Sequence, residues 1–371
     1  MSSNDNAKSW HQHITIDLLA HVLNRSLFHP FIAWLIPLCQ RAVGAPYDSF
    51  NFIATCTYAS LVTLLWILSA INTRIAYGLP RELDWDEEVI VITGGASGLG
   101  KILAETYGMR SASVAVLDVR EPEKESEGLA AVQFYKCDVG DAEAVGRAKQ
   151  QIEKDLGTPT ILINNAGIVH GKPLLGPNRL TPSDIAQTLH INTLAHFHTL
   201  HAFLPGMLAS PTGGTVVTIS SVLGKLGASH LADYTASKAA LLALHASLRA
   251  ELASPAAPEG ADRIRTVLVT PGQLSTTLFA GVQTPSSIMG PVVEVVELAR
   301  EIVRMVDAGE SGKISMPLYA WYIDWLHVLP VGIQKLVRRL SGMDRAMEGF
   351  HRRRDLREDS QRAPAAADSK S

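Results

Sequence analysis

Residues 89–100 read VIVITGGASGLG: a run of five β-branched side chains passes straight into a turn with glycine at 94, 95, 98 and 100. β-Branched residues suit a pleated strand, and a run without polar alternation predicts a strand covered on both faces. Glycines at the strand's end permit a tight turn and let the backbone approach a pyrophosphate, whose charge a helix N-terminus favours. A glycine-rich turn alone is only a turn. Here a helix-forming stretch follows at once, and strand–turn–helix is the context of a dinucleotide site. Thr93, Gly94, Ser97, Gly98, Leu99 and Gly100 are therefore the first candidate cofactor-binding residues.

Working outward, short β-rich runs at 89–93, 113–118, 131–136, 160–164, 215–220, 264–270 and 313–316 alternate with helix-length segments. Repeated β-α units predict a doubly wound α/β domain, a parallel sheet of about seven strands with helices on both faces. The second strand ends at Asp118, where a carboxylate accepts hydrogen bonds from an adenosine ribose and repels a 2′-phosphate. This favours NAD over NADP, with Lys101 and Arg120 as nearby cations that count against the preference.

The 371 residues carry Lys+Arg 33 against Asp+Glu 36, so there is no basic field and nucleic acid is not an expected partner. Cys39, Cys56 and Cys137 are scattered without metal-like or paired spacing, which points to a reducing compartment. Residues 1–13 are polar and lack the pattern of a cleaved signal peptide. Ile14, Leu18, Val22 and Leu23 recur at helical spacing, and an apolar run at 31–39 is interrupted by Pro37. Residues 52–71 then read FIATCTYASLVTLLWILSAI without a charge. That is about the 20 residues a bilayer-spanning helix needs, and a buried core helix is the alternative. Arg41, Arg74 and Arg81 flank it too evenly to orient it.

These motifs resemble the short-chain dehydrogenase/reductase family. Thr93-Gly94-x-x-x-Gly98-x-Gly100 is similar to its cofactor signature. Asp138 matches the family residue that meets the adenine, and Asn164-Asn165-Ala166-Gly167 its turn beside the cofactor. Pro271-Gly272 matches its turn at the nicotinamide, and Thr276 the hydroxyl that meets the carboxamide. The resemblance covers roughly residues 86–317 and implies a Rossmann-type sheet. It also implies cofactor contacts from Asp118, Asp138, Asn165, Ala166, Gly167, Pro271, Gly272 and Thr276.

Tyr234-Thr235-Ala236-Ser237-Lys238 opens a long Ala/Leu-rich helical stretch, and the i, i+4 spacing puts Tyr234 and Lys238 on one face. Moving a hydride to or from an alcohol carbon also requires moving the hydroxyl proton. A phenol near pH 10 is too weak a base at neutral pH, and a neighbouring ammonium and an oxidised nicotinamide favour phenolate. Ser221 matches the family's Ser-to-Tyr spacing, whereas Ser220 is offset by one. Asn192 matches the fourth catalytic residue. The resemblance thus implies a catalytic set of Asn192, Ser221, Tyr234 and Lys238, with Tyr234 and Lys238 also touching cofactor. His190, His196, His198 and His201 crowd one helix but spread around it with no Cys or carboxylate, so no metal is expected. Met305, Met316, Met343 and Met347 read as core or interface filler.

Beyond Pro317 the chain is dense in Trp and Tyr. Ile333, Leu336, Val337, Leu340, Met343 and Met347 then form an apolar stripe flanked by Lys335, Arg338, Arg339, Arg345 and Arg352 to Arg354. Such a helix rests on an anionic leaflet, or packs on the catalytic domain or a second copy of the chain in a homodimer. The expected organisation is a membrane-anchoring region at 1–85, a catalytic domain at 86–317, an aromatic and basic extension at 318–354 and a disordered tail at 355–371. This architecture resembles the membrane-bound retinol and 17β-hydroxysteroid dehydrogenase-like branch, found at the endoplasmic reticulum and lipid droplets. A lipophilic alcohol substrate entering over 273–290, and a catalytic domain on the cytosolic face, are implied. An NADPH-dependent 3-ketoacyl reductase of fatty-acid elongation is the rival enzyme. A non-catalytic nucleotide-binding membrane scaffold is the rival of another class.

Overall fold

The computed structural model describes residues 15–110, 112–121, 131–279, 282, 290–342, 347 and 350. Ile14, Met343, Arg345, Arg352 to Arg354, the polar tail and most of the expected entry segment beyond Phe279 lie outside these. The chain divides into two units, one within Met1–Leu79 and a larger one beginning at Pro80.

In the larger unit, seven parallel strands lie in the order β3-β2-β1-β4-β5-β6-β7. They are β1 (Val89–Thr93), β2 (Ser113–Asp118), β3 (Val132–Lys136), β4 (Ile161–Asn164), β5 (Gly214–Ile219), β6 (Ile264–Pro271) and β7 (Gly312–Met316). The expected strands hold to within one residue at each end, because each is a short apolar run bounded by turn residues. Alternate side chains of β1 serve opposite faces: Ile90 and Ile92 join Leu103, Tyr107, Leu298 and Ile302, which come from α4 (Gly98–Gly108) and α9 (Val295–Asp307). Val89 and Val91 join Ile152, Phe203, Met207 and Leu248. These come from α5 (Ala142–Asp155), α7 (Ala195–Ala209) and α8 (Ala232–Leu252). The sheet is buried on both faces, as the unalternating strands require. Because the order reverses at β1/β4, the turns after these strands open a crevice at the carboxyl edge of the sheet.

The N-terminal unit holds α1 (Ile16–Arg25), α2 (Pro30–Ala42) and α3 (Phe50–Tyr77). Pro37 does not interrupt α2, which runs through it. Pro37 and Ala33 are the buried residues of α2, and Ala59 and Val62 those of α3. α2 and α3 pack along this small-residue seam, and Trp34 Nε1 donates to Thr63 Oγ1 at 3.0 Å. α3 has 28 residues and is long and apolar enough to cross a membrane. Leu61, Leu64, Leu65, Trp66 and Ile67 project from it unburied, whereas Thr57, Thr63 and Thr73 return their hydroxyl protons to carbonyls four residues back.

After β7 come α10 (Tyr319–Tyr322) and α11 (Val331–Ser341). Ile333, Leu336, Val337 and Leu340 of α11 are exposed, so this part of the stripe does not pack on its own domain.

Candidate active site

Thr93 ends β1 and organises the carboxyl edge of the sheet. Its Oγ1 accepts the backbone N–H groups of Asn165 at 2.9 Å and Ala166 at 3.0 Å. Asn165 Nδ2 returns hydrogen bonds to the carbonyls of Thr93 and Gly94 at 3.0 and 3.2 Å. The two turns are thereby locked together across the switch point, and no room remains for side chains between them. A Cβ on Gly94, which sits at φ +66°, would lie 2.9 Å from Ala166 Cα, and one on Gly100 would lie 2.7 Å from Asn165 Nδ2. Ser97 at the N-cap of α4 makes no capping bond with its side chain. The first N–H groups of this helix are thus left without that side-chain acceptor. Asp118 Oδ2 accepts from Ala96 N at 3.1 Å and Oδ1 from Arg120 N at 3.0 Å, so the carboxylate is fixed against the turn. Thr276 approaches from the far side, its Cγ2 lying 3.7 Å from a Cβ built on Gly98. Asp138 accepts the N–H of Gly140 at 2.9 Å at the end of β3.

β5 ends at Ile219, so Ser221 stands two positions past it rather than one, capping a tight turn over Val222–Gly224. Its hydroxyl lies 3.4 Å from the carbonyl of Pro271, the last residue of β6, and close enough to the Tyr234 phenol to favour its ionised form. Lys238 follows one turn along α8, and its Nζ donates to Ile219 O at 2.9 Å. Asn192 is not in regular α-helix. It lies in a wider turn, His190–Leu194, between α6 (Pro182–Leu189) and α7. Such π-type turns gather at functional sites. There Asn192 Oδ1 accepts from Ile168 N at 2.8 Å, and Nδ2 donates to Ile168 O and Ser237 Oγ, both at 3.0 Å. Gly167 closes the group, since a Cβ there would stand 3.4 Å from Asn192 Oδ1 and 3.7 Å from Lys238 Nζ. The structure therefore brings Asn192, Ser221, Tyr234, Lys238, Gly167 and Pro271 to one place.

All four polar side chains of this group are buried. Burial pushes the Tyr234 phenol up to about 12, with the Ser221 hydroxyl pulling the other way. Burial also pushes the Lys238 amine down to about 8. The sequence predicts a phenol lowered by its charged neighbours. Among the chain's own groups desolvation wins, because Nζ sits 5.8 Å from the phenol ring centroid and spends a proton on Ile219 O. His196 is pushed down to about 3 by burial and then by Lys238, so it stays neutral there. His198 bonds the carbonyl of Val139 at 3.1 Å, and His190 and His201 face outward.

The short chain dehydrogenase family model matches residues 88–286. The chain belongs to the short-chain dehydrogenase/reductase family. Like the family, it is an NAD(P)-dependent oxidoreductase. It is 32% identical to the uncharacterized oxidoreductase TDA5 of Saccharomyces cerevisiae, over 80% of this chain and 89% of that protein. It is 33% identical to epidermal retinol dehydrogenase 2 of Mus musculus, over 71% of this chain and 85% of that one. Among solved structures, a short-chain dehydrogenase from Burkholderia cenocepacia in complex with NADP is 26% identical. It covers 69% of this chain and 99% of its own, with a TM-score of 0.53.

As a short-chain dehydrogenase, the chain shows one feature its sequence did not disclose. Val169, Leu231, Tyr234 and Met347 form a buried cluster, with Phe279, Val282 and Phe350 packed on it. The rings of Phe279 and Tyr234 meet edge to face at 5.5 Å. The Phe350 ring lies against Gly171, where any side chain would collide with it. Met347 is core filler, as expected, and the core that it fills is the one at Tyr234. Met347 and Phe350 lie more than 100 residues from the tyrosine they cover, and no local motif signals that approach.

Proposed function

We propose that this enzyme interconverts a lipophilic alcohol and its carbonyl, preferring NAD, while attached to a membrane. The observation that carries the reading is the setting of Tyr234. The Ser221 hydroxyl is near enough to favour its phenolate, its helix carries Lys238, and it packs in a cluster with Val169, Leu231, Phe279, Met347 and Phe350. A polar reacting end with an apolar wall suits an alcohol on a water-insoluble body. The name of the retinol dehydrogenase relative supports that class.

The residues present fit a dinucleotide. Thr93, Gly94, Ser97, Gly98, Leu99 and Gly100 would cradle its pyrophosphate at the start of α4, with Asp118 at the adenosine ribose and Asp138 at the adenine. Asn165, Ala166, Gly167, Pro271, Gly272 and Thr276 would border the nicotinamide half. When bound, the nicotinamide accepts or supplies the hydride. Tyr234 Oη takes the hydroxyl proton in oxidation and returns it in reduction. Ser221 Oγ holds the substrate oxygen beside it, and Lys238 supplies positive charge that favours the phenolate. Asn192 holds the Ile168 backbone and Ser237 in register, which keeps the floor beneath Lys238 in place. Asp118, held by two N–H groups, leaves a 2′-phosphate facing a fixed negative charge. α3 would span the bilayer and the exposed stripe of α11 would lie in its surface.

The test is cofactor reduction by purified full-length protein, with NAD or NADP, against all-trans-retinol, a hydroxysteroid and a long-chain alcohol. Turnover with at least one, faster with NAD and abolished by Tyr234→Phe, is the expected result. Turnover only of a 3-ketoacyl thioester with NADPH would overturn it.

A further inference from the structure

α8 carries Tyr234 and Lys238 near its start, yet its N-cap residue, Leu231, offers no side-chain acceptor to the free N–H groups. A helix end of this kind is prone to fray unless something else secures it. The securing contacts come from the side. Asp233 is buried, and its Oδ2 accepts the Thr188 hydroxyl of α6 at 2.7 Å. Its Oδ1 has no hydrogen-bond partner among the described residues. Behind Thr188 stands His170, also buried, three residues past the Gly167 turn. His170 Nδ1 lies 2.9 Å from Thr188 Oγ1 and 3.5 Å from Asp233 Oδ2, and Nε2 lies 3.4 Å from Asp184 Oδ1.

Counting protons assigns the state of the ring. The Thr188 hydroxyl has one proton and gives it to Asp233, so Nδ1 must donate to Thr188. Nε2 faces the second carboxylate. Asp184 is held well below the usual carboxyl range, first by the Lys172 ammonium at 2.7 Å and then by the Thr181 N–H, so it is an acceptor only. A neutral ring would therefore turn a lone pair toward a carboxylate on one side or the other. With both carboxylates ionised, only the doubly protonated ring donates on both sides. The charged groups facing it are Asp184 from α6 and Asp233 from α8, with Lys172 from its own segment behind Asp184. Two positive and two negative charges then balance.

We propose that His170, as an imidazolium shared between Asp184 and Asp233, is a positioning residue that pins the uncapped first turn of α8 and so fixes Tyr234. The catalytic role of Tyr234 rests on the function proposed above; the clasp itself does not. Neutralising His170 leaves Asp233 buried next to the tyrosine with neither countercharge nor partner for Oδ1, and the turn that bears Tyr234 gives way. The effect belongs in kcat, because no group of the clasp lines the glycine turn.

Two measurements on full-length protein in detergent test this. The first is long-range nitrogen-15 NMR of histidine-labelled protein, with His170 assigned from His170→Gln. Two protonated nitrogens on His170 at pH 7 are expected, and a neutral tautomer would overturn the proposal. The second is a rescue. His170→Gln should lower kcat for all-trans-retinol with NAD about tenfold, with KM for NAD unchanged, and adding Asp233→Asn should recover most of the loss. Additive losses in the double variant would show that His170 only fills space. If His170→Gln does not fold, His170→Gln/Asp233→Asn should, and its failure to do so would equally refute the charge argument. Wild-type protein inactive toward every alcohol would sink the proposed function while leaving the NMR result to stand or fall by itself.

Discussion

Lys238→Met should make the enzyme more stable and nearly inactive. Burial holds the Lys238 amine at about 8 instead of its ordinary 10.5. At about 1.4 kcal/mol per pH unit, keeping it charged at pH 7 costs the folded state about 3 kcal/mol. Met has similar length and no charge to desolvate, but it strands the Ile219 carbonyl, which loses its 2.9 Å bond. That loss costs about 1–2 kcal/mol, leaving a net gain of about 1–2 kcal/mol. In a domain of this size the gain raises Tm by about 2–8 °C. Between pH 8 and 10.5 the unfolded chain keeps the lysine proton and the folded chain gives it up. Wild-type stability therefore rises with pH relative to the variant, whose advantage is full below pH 8, shrinks above it, is gone between about pH 9 and 10 where the remaining charge cost only matches the lost Ile219 bond, and is reversed by about 10.5. Thermal melting of full-length wild type and variant at pH 7, 8.5 and 9.5 measures this, with turnover followed in parallel. A variant that melts below wild type at pH 7, or a gap that ignores pH, would refute the reasoning.

Tyr234→Phe should keep NADH binding, read by fluorescence, within about twofold while turnover falls by roughly 10²–10⁴, since only the proton-transfer atom is lost. Asp118→Ser should raise the ratio of kcat/KM for NADP over NAD by about tenfold or more, because the 2′-phosphate no longer meets a fixed carboxylate. Arg81 is buried in an ion pair with Glu88, which also accepts from Thr160. Arg81→Met should therefore cost about 3–5 kcal/mol in denaturant unfolding, a loss that Glu88→Gln on top of it should partly relieve. Full-length protein should resist a high-salt membrane wash if α3 is inserted, whereas a form lacking residues 1–80 should wash off as salt screens the basic face of α11.

The sheet was legible in the sequence because its signals are local. Runs such as Val89–Thr93 and Ile264–Pro271 are bounded by turn residues and rich in β-branched side chains, and their length of five to eight residues suits a strand rather than a helix. The glycine turn, Asn165 and the Tyr234–Lys238 spacing were legible for the same reason. What escaped depends on contacts made at a distance. Pro37 reads as an interruption, but α2 runs through it with Pro37 buried, and the helix is held by packing on α3, where Ala33 meets Ala59 and Val62. Asn192 sits in a widened turn that no helical period encodes. Nothing near Met347 in the sequence says that the core it fills is the one at Tyr234, and His170 is an unremarkable histidine until α6 and α8 bring it two carboxylates.

The same burial that hides these groups decides how the proposed base works. Apolar walls favour uncharged partners, so a phenol raised to about 12 meets a lipophilic alcohol as one neutral group meets another, with little desolvation cost. Lys238, near 8, keeps a charge at pH 7 but spends one proton on Ile219 O. Left to the chain alone, the phenol would remain protonated across the physiological range. Its proton becomes mobile only when further positive charge is placed beside it, which is the charge an oxidised nicotinamide carries. On this reading base strength is conditional: the site holds no buried phenolate to destabilise the fold, and Tyr234 acts as a base only where there is an acceptor for the hydride. A Tyr234 phenolate absorbance band that appears below pH 9 with NAD bound, and not without it, is the expected signature. The same band in both forms would show that the protein by itself supplies the lowering, against the balance of burial and charge seen here.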